Sequence, residues 1–213
     1  MEDQNITYHI PSDISGNDLD DVLNQFSAPM RDHSRRVAVC SAIMAEYAKL
    51  FPQLFDIPVK INLEVIAYLG GVCHDIGKLS NLSPAAKEKD DPMHPVIGAA
   101  LLEKHKETLF DNETQAQMVL ETVRHHHEQP DGGGFPDGLR AGDIPMTAGI
   151  CAIADRLDHC FFPEHKPYSG TTDIFNDIEL QARKRFSESA VICFKHAWPR
   201  LTEWYAGWNL TAG

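Results

Sequence analysis

Leu63-Glu64-Val65-Ile66-Ala67-Tyr68-Leu69-Gly70-Gly71-Val72-Cys73-His74-Asp75-Ile76-Gly77-Lys78 is apolar on nearly every face and then turns polar at its end. With Val65, Ile66, Leu69 and Val72 spread around the helix, the run predicts a central buried helix over 63–75. Its end carries the chemistry. His74 and Asp75 place an imidazole beside a carboxylate, emerging from a dry support ahead of a helix-ending Gly77. Burying both without a metal ion or a hydrogen-bond partner is costly. For one isolated His-Asp pair, a polar helix C-terminus is the simpler explanation. It weakens once His33 upstream and His94, His126, His127 and Asp155 downstream are counted, each in its own local context. These N/O donors, with no thiolate motif among them, suggest a metal cluster that activates water.

Outward from that helix the chain reads as nearly all helix. Val37, Cys40, Met44, Tyr47 and Phe51 recur at helical spacing behind His33. Pro95 after His94 fits a helix start, and Asp111 or Asn112 is the expected cap of the next helix, which runs toward His125-His126-His127. Ile150, Ile153, Ala154 and Leu157 form another apolar stripe, Asp173 is a candidate cap, and Pro199 is expected to kink or divide the last helix. Two loops are predicted, 79–93 and the glycine-rich 129–145. Nothing shows sustained strand alternation. The expected organisation is an N-terminal arm or short helix over 1–28 and a single domain over 29–213.

Composition sets outer bounds. A chain of 213 residues can bury a sizeable core. Its formal charge of −12, with no Lys/Arg-rich run, argues against a nucleic-acid polymer or a membrane surface as partner. It leaves room for a small phosphorylated ligand, because bound cations reverse the local field. Cys40, Cys73, Cys151, Cys160 and Cys193 are scattered and never in C-x-x-C spacing, so they read as reduced core residues. No apolar run reaches the ~20 residues of a membrane span. The first residues lack the basic and apolar regions of a signal peptide, and a cytoplasmic location is expected.

The remaining candidates each have an ordinary explanation. Consecutive helical residues point about 100° apart, so adjacent histidines are not expected to share one site in the same way. His126 and His127 could serve two neighbouring metals, or simply form a solvated helix end. Asp155, flanked by small and apolar residues, is either an inward-facing ligand or half of a buried salt bridge with Arg156 or Arg124. His125 suits an outer supporting role. His9, His105, His159, His165 and His196 sit in no motif and read as surface or structural residues.

In order along the chain stand His33-Ser34-Arg35-Arg36-Val37-Ala38, His74-Asp75-Ile76-Gly77-Lys78, His94-Pro95-Val96-Ile97-Gly98-Ala99, His126-His127-Glu128, Asp131-Gly132-Gly133-Gly134-Phe135-Pro136-Asp137-Gly138-Leu139, and Ile153-Ala154-Asp155-Arg156-Leu157-Asp158. Together they resemble the HD-GYP domains of the HD superfamily of metal-dependent phosphohydrolases. The resemblance covers about residues 30–170. It implies an all-α fold, an HD-domain helical core with additional C-terminal helices. It also implies two-metal hydrolysis of a phosphodiester in cyclic di-GMP or a related cyclic dinucleotide. One metal is implied on His33, His74, Asp75 and Asp155, a second on His94, His126 and His127, with Asp75 bridging. Iron or manganese is the expected metal, and zinc, nickel or magnesium also suit the donors. Asp75 and Lys78 are the implied catalytic residues. Lys78, Gly133, Gly134, Lys166 and Tyr168 are the implied substrate contacts.

The departures bear on the substrate more than on metal binding. The GYP signature reads Gly134-Phe135-Pro136, and Gln129 stands where an arginine is expected. Pro29 occupies the position at which some members carry a glutamate that supports a third metal, so two metals are expected. The segment after Lys78 is short, and the Arg-Pro-Tyr-Arg element appears as Lys166-Pro167-Tyr168-Ser169. A phosphohydrolase of another nucleotide and a non-catalytic cyclic-dinucleotide sensor or adaptor are the alternatives. Some ~30 N-terminal residues are too few for a sensory domain of ordinary size, which leaves a regulatory protein partner as the open expectation.

Overall fold

Pro29 lies in the first turn of α1 (Ala28–Ala48), where a missing backbone N–H costs nothing. The computed structural model describes residues 23–51, 61–79, 92–162 and 168–211; most of the predicted arm, the middle of the 79–93 segment, and Lys166 lie outside them. After α1 come α2 (Leu63–Cys73), a 3-10 turn (Ile76–Leu79), α3 (Met93–Leu109), α4 (Glu113–His125), α5 (Met146–Phe161), α6 (Thr171–Leu180) and α7 (Glu188–Thr211). Among the described residues there is no strand, only the isolated bridges Asp131–Arg140 and Ala182–Phe186. No described helix is long and apolar enough to cross a membrane.

α2 is buried all round, from Leu63 to Cys73 with Glu64 alone half-exposed, as its composition requires. Asn62 caps it by accepting from the Val65 amide. It lies between α1, α4 and α5, while α1 also packs on α5 and α7. One face of α1 (Val37, Cys40, Met44) joins Ile150, Ile153 and Leu157 of α5 and Phe194 and Tyr205 of α7 in one apolar cluster. Its other face (Ala38, Ala42) joins Val65, Leu69 and Val72 of α2 and Val119 and Val123 of α4 in a second. All five cysteines are buried and unbridged.

Two glycines set how closely these helices meet. A Cβ on Gly71 would lie 2.6 Å from the Ala38 Cα, so the backbones of α1 and α2 touch there. A Cβ on Gly77 would lie 1.9 Å from the His94 carbonyl oxygen, so the turn after α2 presses on the start of α3. In both places only a residue without a side chain fits.

The helix boundaries differ from expectation in detail. α2 stops at Cys73, which leaves His74 and Asp75 in the turn. α3 begins at Met93, two residues before Pro95. Asn112, not Asp111, caps α4 by accepting from the Gln115 amide at 2.9 Å. Asp173 lies within the first turn of α6 behind Gly170, and there accepts from the Ser169 amide. Pro199 sits inside α7 without dividing it.

Candidate metal centre

The ligand candidates lie where helices end. His33 is on α1, His74 and Asp75 follow α2, His94 opens α3, His126 and His127 follow α4, and Asp155 is on α5. The structure brings these residues together. His33, His74 and Asp75 form one group of mutually close donor atoms, and His94, His126 and His127 another, with the atoms of each within 4.8 Å of one another. Asp75 stands between the two. Its Oδ1 is 3.3 Å from His94 Nε2, while its Oδ2 is 3.4 Å from His74 Nε2 and 3.9 Å from His33 Nε2.

The adjacent histidines meet in one group, contrary to the helical expectation, because α4 ends at His125. His126 caps that end, and the His126 and His127 rings lie 4.1 Å apart between centroids. Both are held below the ordinary imidazole range, first by burial. The neighbouring imidazoles add to the effect at His126, and His127 falls to about 4 even though Asp155 pulls the other way. They are therefore neutral, with a lone pair available, at ordinary pH.

Backbone contacts decide which nitrogen carries that lone pair. His74 Nδ1–H donates to the Gly71 carbonyl at 2.8 Å, and His126 Nδ1–H donates to the Val123 carbonyl at 2.7 Å. A carbonyl can only accept, so Nδ1 holds a proton in both rings, and in the neutral His126 the inward-facing Nε2 is bare. His74 Nε2 then meets His33 Nε2 at 3.2 Å, and His126 Nε2 meets His94 Nε2 at 3.3 Å. The Nε2 of His127 is buried with no hydrogen-bond partner among the described residues. Inward-facing lone pairs and an orphaned ring nitrogen are what a cation would satisfy.

The carboxylates attract positive charge. Burial alone would raise Asp75, yet His74 and Lys78 hold it well below the usual carboxylate range. Burial likewise opposes ionisation of Asp155, and His159 and His33 outweigh it. At His33 burial lowers the pKa, but hydrogen bonds and charge from Asp155 and Asp158 lift it to about 10. The neutral His126 and His127 with the ionised Asp75 and Asp155 make an N/O donor set that fits Fe, Mn or Zn, and a cation bound at His33 would displace its proton. Lys78 Nζ donates to Asp75 Oδ2 at 2.6 Å, with its side chain largely covered.

Asp155 pairs with neither arginine proposed for it. Arg124 makes a two-pronged contact to Asp137, and Arg156 donates to Asp177 and to the Tyr168 hydroxyl. Asp155 Oδ1 instead faces His33 Nε2 at 3.4 Å and His159 Nε2 at 3.2 Å. His159 is thus not an isolated surface residue.

Three supporting residues have roles that the sequence did not assign. Asp158 accepts from His33 Nδ1–H at 2.7 Å and binds Arg36 through both oxygens. Glu128, buried, accepts from the amides of Asp137, Gly138 and Leu139, which ties the glycine-rich loop to the end of α4. Asp177 accepts from the Tyr168 hydroxyl at 2.9 Å. The first could have been suspected from its i+3 spacing to Asp155, and the second from its place after the histidines. Asp177 carried no signal.

Among the substrate-contact candidates, Gly133 donates its amide to Asp131. A Cβ on Gly134 would lie 2.3 Å from the Gln129 amide nitrogen, so its lack of a side chain serves the loop's own packing. The hydroxyl of Tyr168 is engaged by Arg156 and Asp177. His125 contacts Asp137 at 3.0 Å. Beside the donor groups lies a cavity of about 140 Å³, lined in part by His127, Gln129, Phe135, His159, Arg185 and Phe186. The Phe135 ring rests 4.7 Å from that of His127.

A family profile described as HD domain matches residues 30–159. The chain is similar to a cyclic di-GMP phosphodiesterase of Pseudomonas aeruginosa, 31% identical over 57% of this chain and 28% of that protein. It is 28% identical to a cyclic di-GMP phosphodiesterase of Thermotoga maritima, over 62% of this chain and 37% of the relative. A 3′3′-cGAMP-specific phosphodiesterase of Vibrio cholerae is 26% identical over 67% of this chain and 31% of its own length. The chain therefore spans about a third of these relatives.

Proposed function

This chain belongs to the HD domain family, and on that premise we propose that it is a phosphodiesterase of cyclic dinucleotides, cyclic di-GMP foremost, working with two divalent metal ions. The observation that carries the reading is the placement of Asp75, one carboxylate oxygen toward His94 and the other toward His33 and His74. A carboxylate so placed can be shared by two cations that would otherwise repel each other. We assign one ion to His33, His74, Asp75 and Asp155 and the other to His94, His126, His127 and Asp75, with iron or manganese as the favoured metal. Bound cations of this kind supply Lewis acidity and make water a better nucleophile at neutral pH.

The chain's own residues supply the rest. His74 and His126, each fixed by a backbone carbonyl, present one nitrogen in one direction, so little reorganisation is needed when a phosphate binds. Lys78 lies beside Asp75 and is assigned to a phosphoryl oxygen, where its charge offsets the charge that grows during cleavage. Phe135 and Phe186 give the cavity apolar faces suited to a base, and Gln129 and Arg185 give it polar ones. Gly133 and Gly134 shape the loop that carries Phe135. Tyr168 acts through Arg156, which also lines the cavity.

The test is anaerobic purification, metal analysis, and a nucleotide panel followed by chromatography. Cleavage of cyclic di-GMP or 3′3′-cGAMP by metal-loaded protein is the expected result. Cleavage of mononucleotides alone would move the assignment to another phosphohydrolase. Tight binding of a cyclic dinucleotide without turnover would make the chain a sensor.

A further inference from the structure

We infer that His159 is a further ligand of the metal ion assigned above to His33, His74, Asp75 and Asp155, giving that ion a fifth side chain on the face toward the cavity. The inference rests on the metal-dependent reading above, but not on the identity of the nucleotide. His33, Asp155 and His159 each offer one donor atom, and these atoms all lie within 4.8 Å of one another. A single oxygen, Asp155 Oδ1, lies 3.4 Å from His33 Nε2 and 3.2 Å from His159 Nε2. Metal–nitrogen and metal–oxygen bonds of roughly 2.0–2.2 Å put neighbouring donors about 3.0–3.5 Å apart around a tetrahedral or octahedral ion. Both separations fall in that range.

The local sequence supports the geometry. Asp155 and His159 are one turn apart on α5, and side chains at i and i+4 project from the same face of a helix. Two ligands at that spacing are a chelating arrangement on one rigid element, as in the H-E-x-x-H zinc motif. Among the described residues Asp155 is the one polar partner of the His159 ring, whose centroid lies 5.1 Å from that of His33. Both Asp155 and His159 line the cavity with His126 and His127, so an ion between them borders the space assigned to substrate. The ordinary alternative is a helix-surface ion pair between Asp155 and His159. Such a pair does not account for a second imidazole facing the same oxygen.

Substitution at 159 leaves the core intact, since its side chain is 36% exposed. The whole chain would be stripped, loaded with Zn²⁺ alone, and studied by X-ray absorption and by competition with a chromophoric chelator. His159→Ala is expected to lower the count of zinc-bound imidazoles by one per chain and to weaken one site by at least about 10-fold. His159→Glu, whose carboxylate also binds metal, is expected to regain most of that affinity. His159→Lys keeps a cationic partner for Asp155 but offers no lone pair, and is expected to behave like the alanine variant. The reverse order, with lysine close to wild type and glutamate weak, would overturn the inference in favour of an ion pair. An unchanged imidazole count in a zinc-binding His159→Ala protein would also overturn it while leaving the metal reading in place. Failure of the wild-type chain to take up zinc, iron or manganese would remove both.

Discussion

The inner and outer halves of the site are built on different terms. His74, His94 and His126 are at most 1% exposed, and two of them are oriented by carbonyls of the helices they terminate. On the outer side, His159 is 36% exposed, and Arg156 and Asp177 about 30% each. Arg156 and Asp177 are oriented by one another and by Tyr168, and His159 by Asp155, through side-chain contacts on α5, α6 and the Tyr168 segment. The inner half takes its geometry from backbone, and the outer half from pairs of flexible groups. Substitutions inside should therefore abolish the chemistry, and those outside should tune it.

The largest effect is expected at the point where the two donor groups meet. Asp75→Ala should release both metals and lower turnover by on the order of 10⁴-fold or more, as when one member of a unit that acts together is lost. Metal analysis of the purified variant checks it, and a variant that keeps two ions would break the bridging assignment. Lys78→Ala should keep the metals and lose about 10²–10³ in kcat, the usual cost of one electrostatic contact to developing charge. Unchanged turnover in the metal-replete variant would move Lys78 to a purely structural pairing with Asp75.

Asp158 tests the boundary between the halves. Asp158→Asn keeps a hydrogen-bond acceptor for His33 but removes the charge, and should weaken metal binding about 10–100-fold. Asp158→Ala should in addition destabilise the fold by about 3–5 kcal/mol, because it strands the nearly buried Arg36 guanidinium. Thermal melting separates the two variants. The smallest effect is expected at Tyr168→Phe, which removes one hydroxyl from the Arg156–Asp177 network and should cost about 1 kcal/mol of stability. It should raise KM more than it lowers kcat. A large loss in kcat there would erase the distinction between inner and outer halves.

The same division explains what could be read from sequence. The inner donors sit at helix ends, and a helix end leaves a local mark: an apolar run that stops, a proline, a glycine-rich stretch. That is why His74, His94 and the His126-His127 pair stood out. The convergence of those two histidines did not, because it turns on α4 ending at His125. Asp155 could be singled out, but its partner could not. The choice among Arg124, Arg156 and two histidines is made by how α5 lies against α1 and α6. His159 looked ordinary for the same reason. Glu128 was noticed as part of a motif, yet its work of holding three amides of the following loop depends on a fold-back that no periodicity reveals.

The contact of Gly71 with Ala38 has a bearing on which ion the proposed site would select. His33 lies five residues before Ala38 on α1, about 7.5 Å along the axis, and Gly71 itself holds the His74 ring through its carbonyl. The gap between those two imidazoles is thus gauged by two backbones in contact, with nothing compressible between them. Cation radius is matched to such a gap, so the preference for one metal over another can drift without any ligand being exchanged. A single methyl at Gly71 would act as a shim, prising the first imidazole from the second and favouring a larger ion. Competition between Mn²⁺ and Zn²⁺ for Gly71→Ala protein would read that drift directly, and an unaltered ratio in a folded variant would show that the gap is set elsewhere.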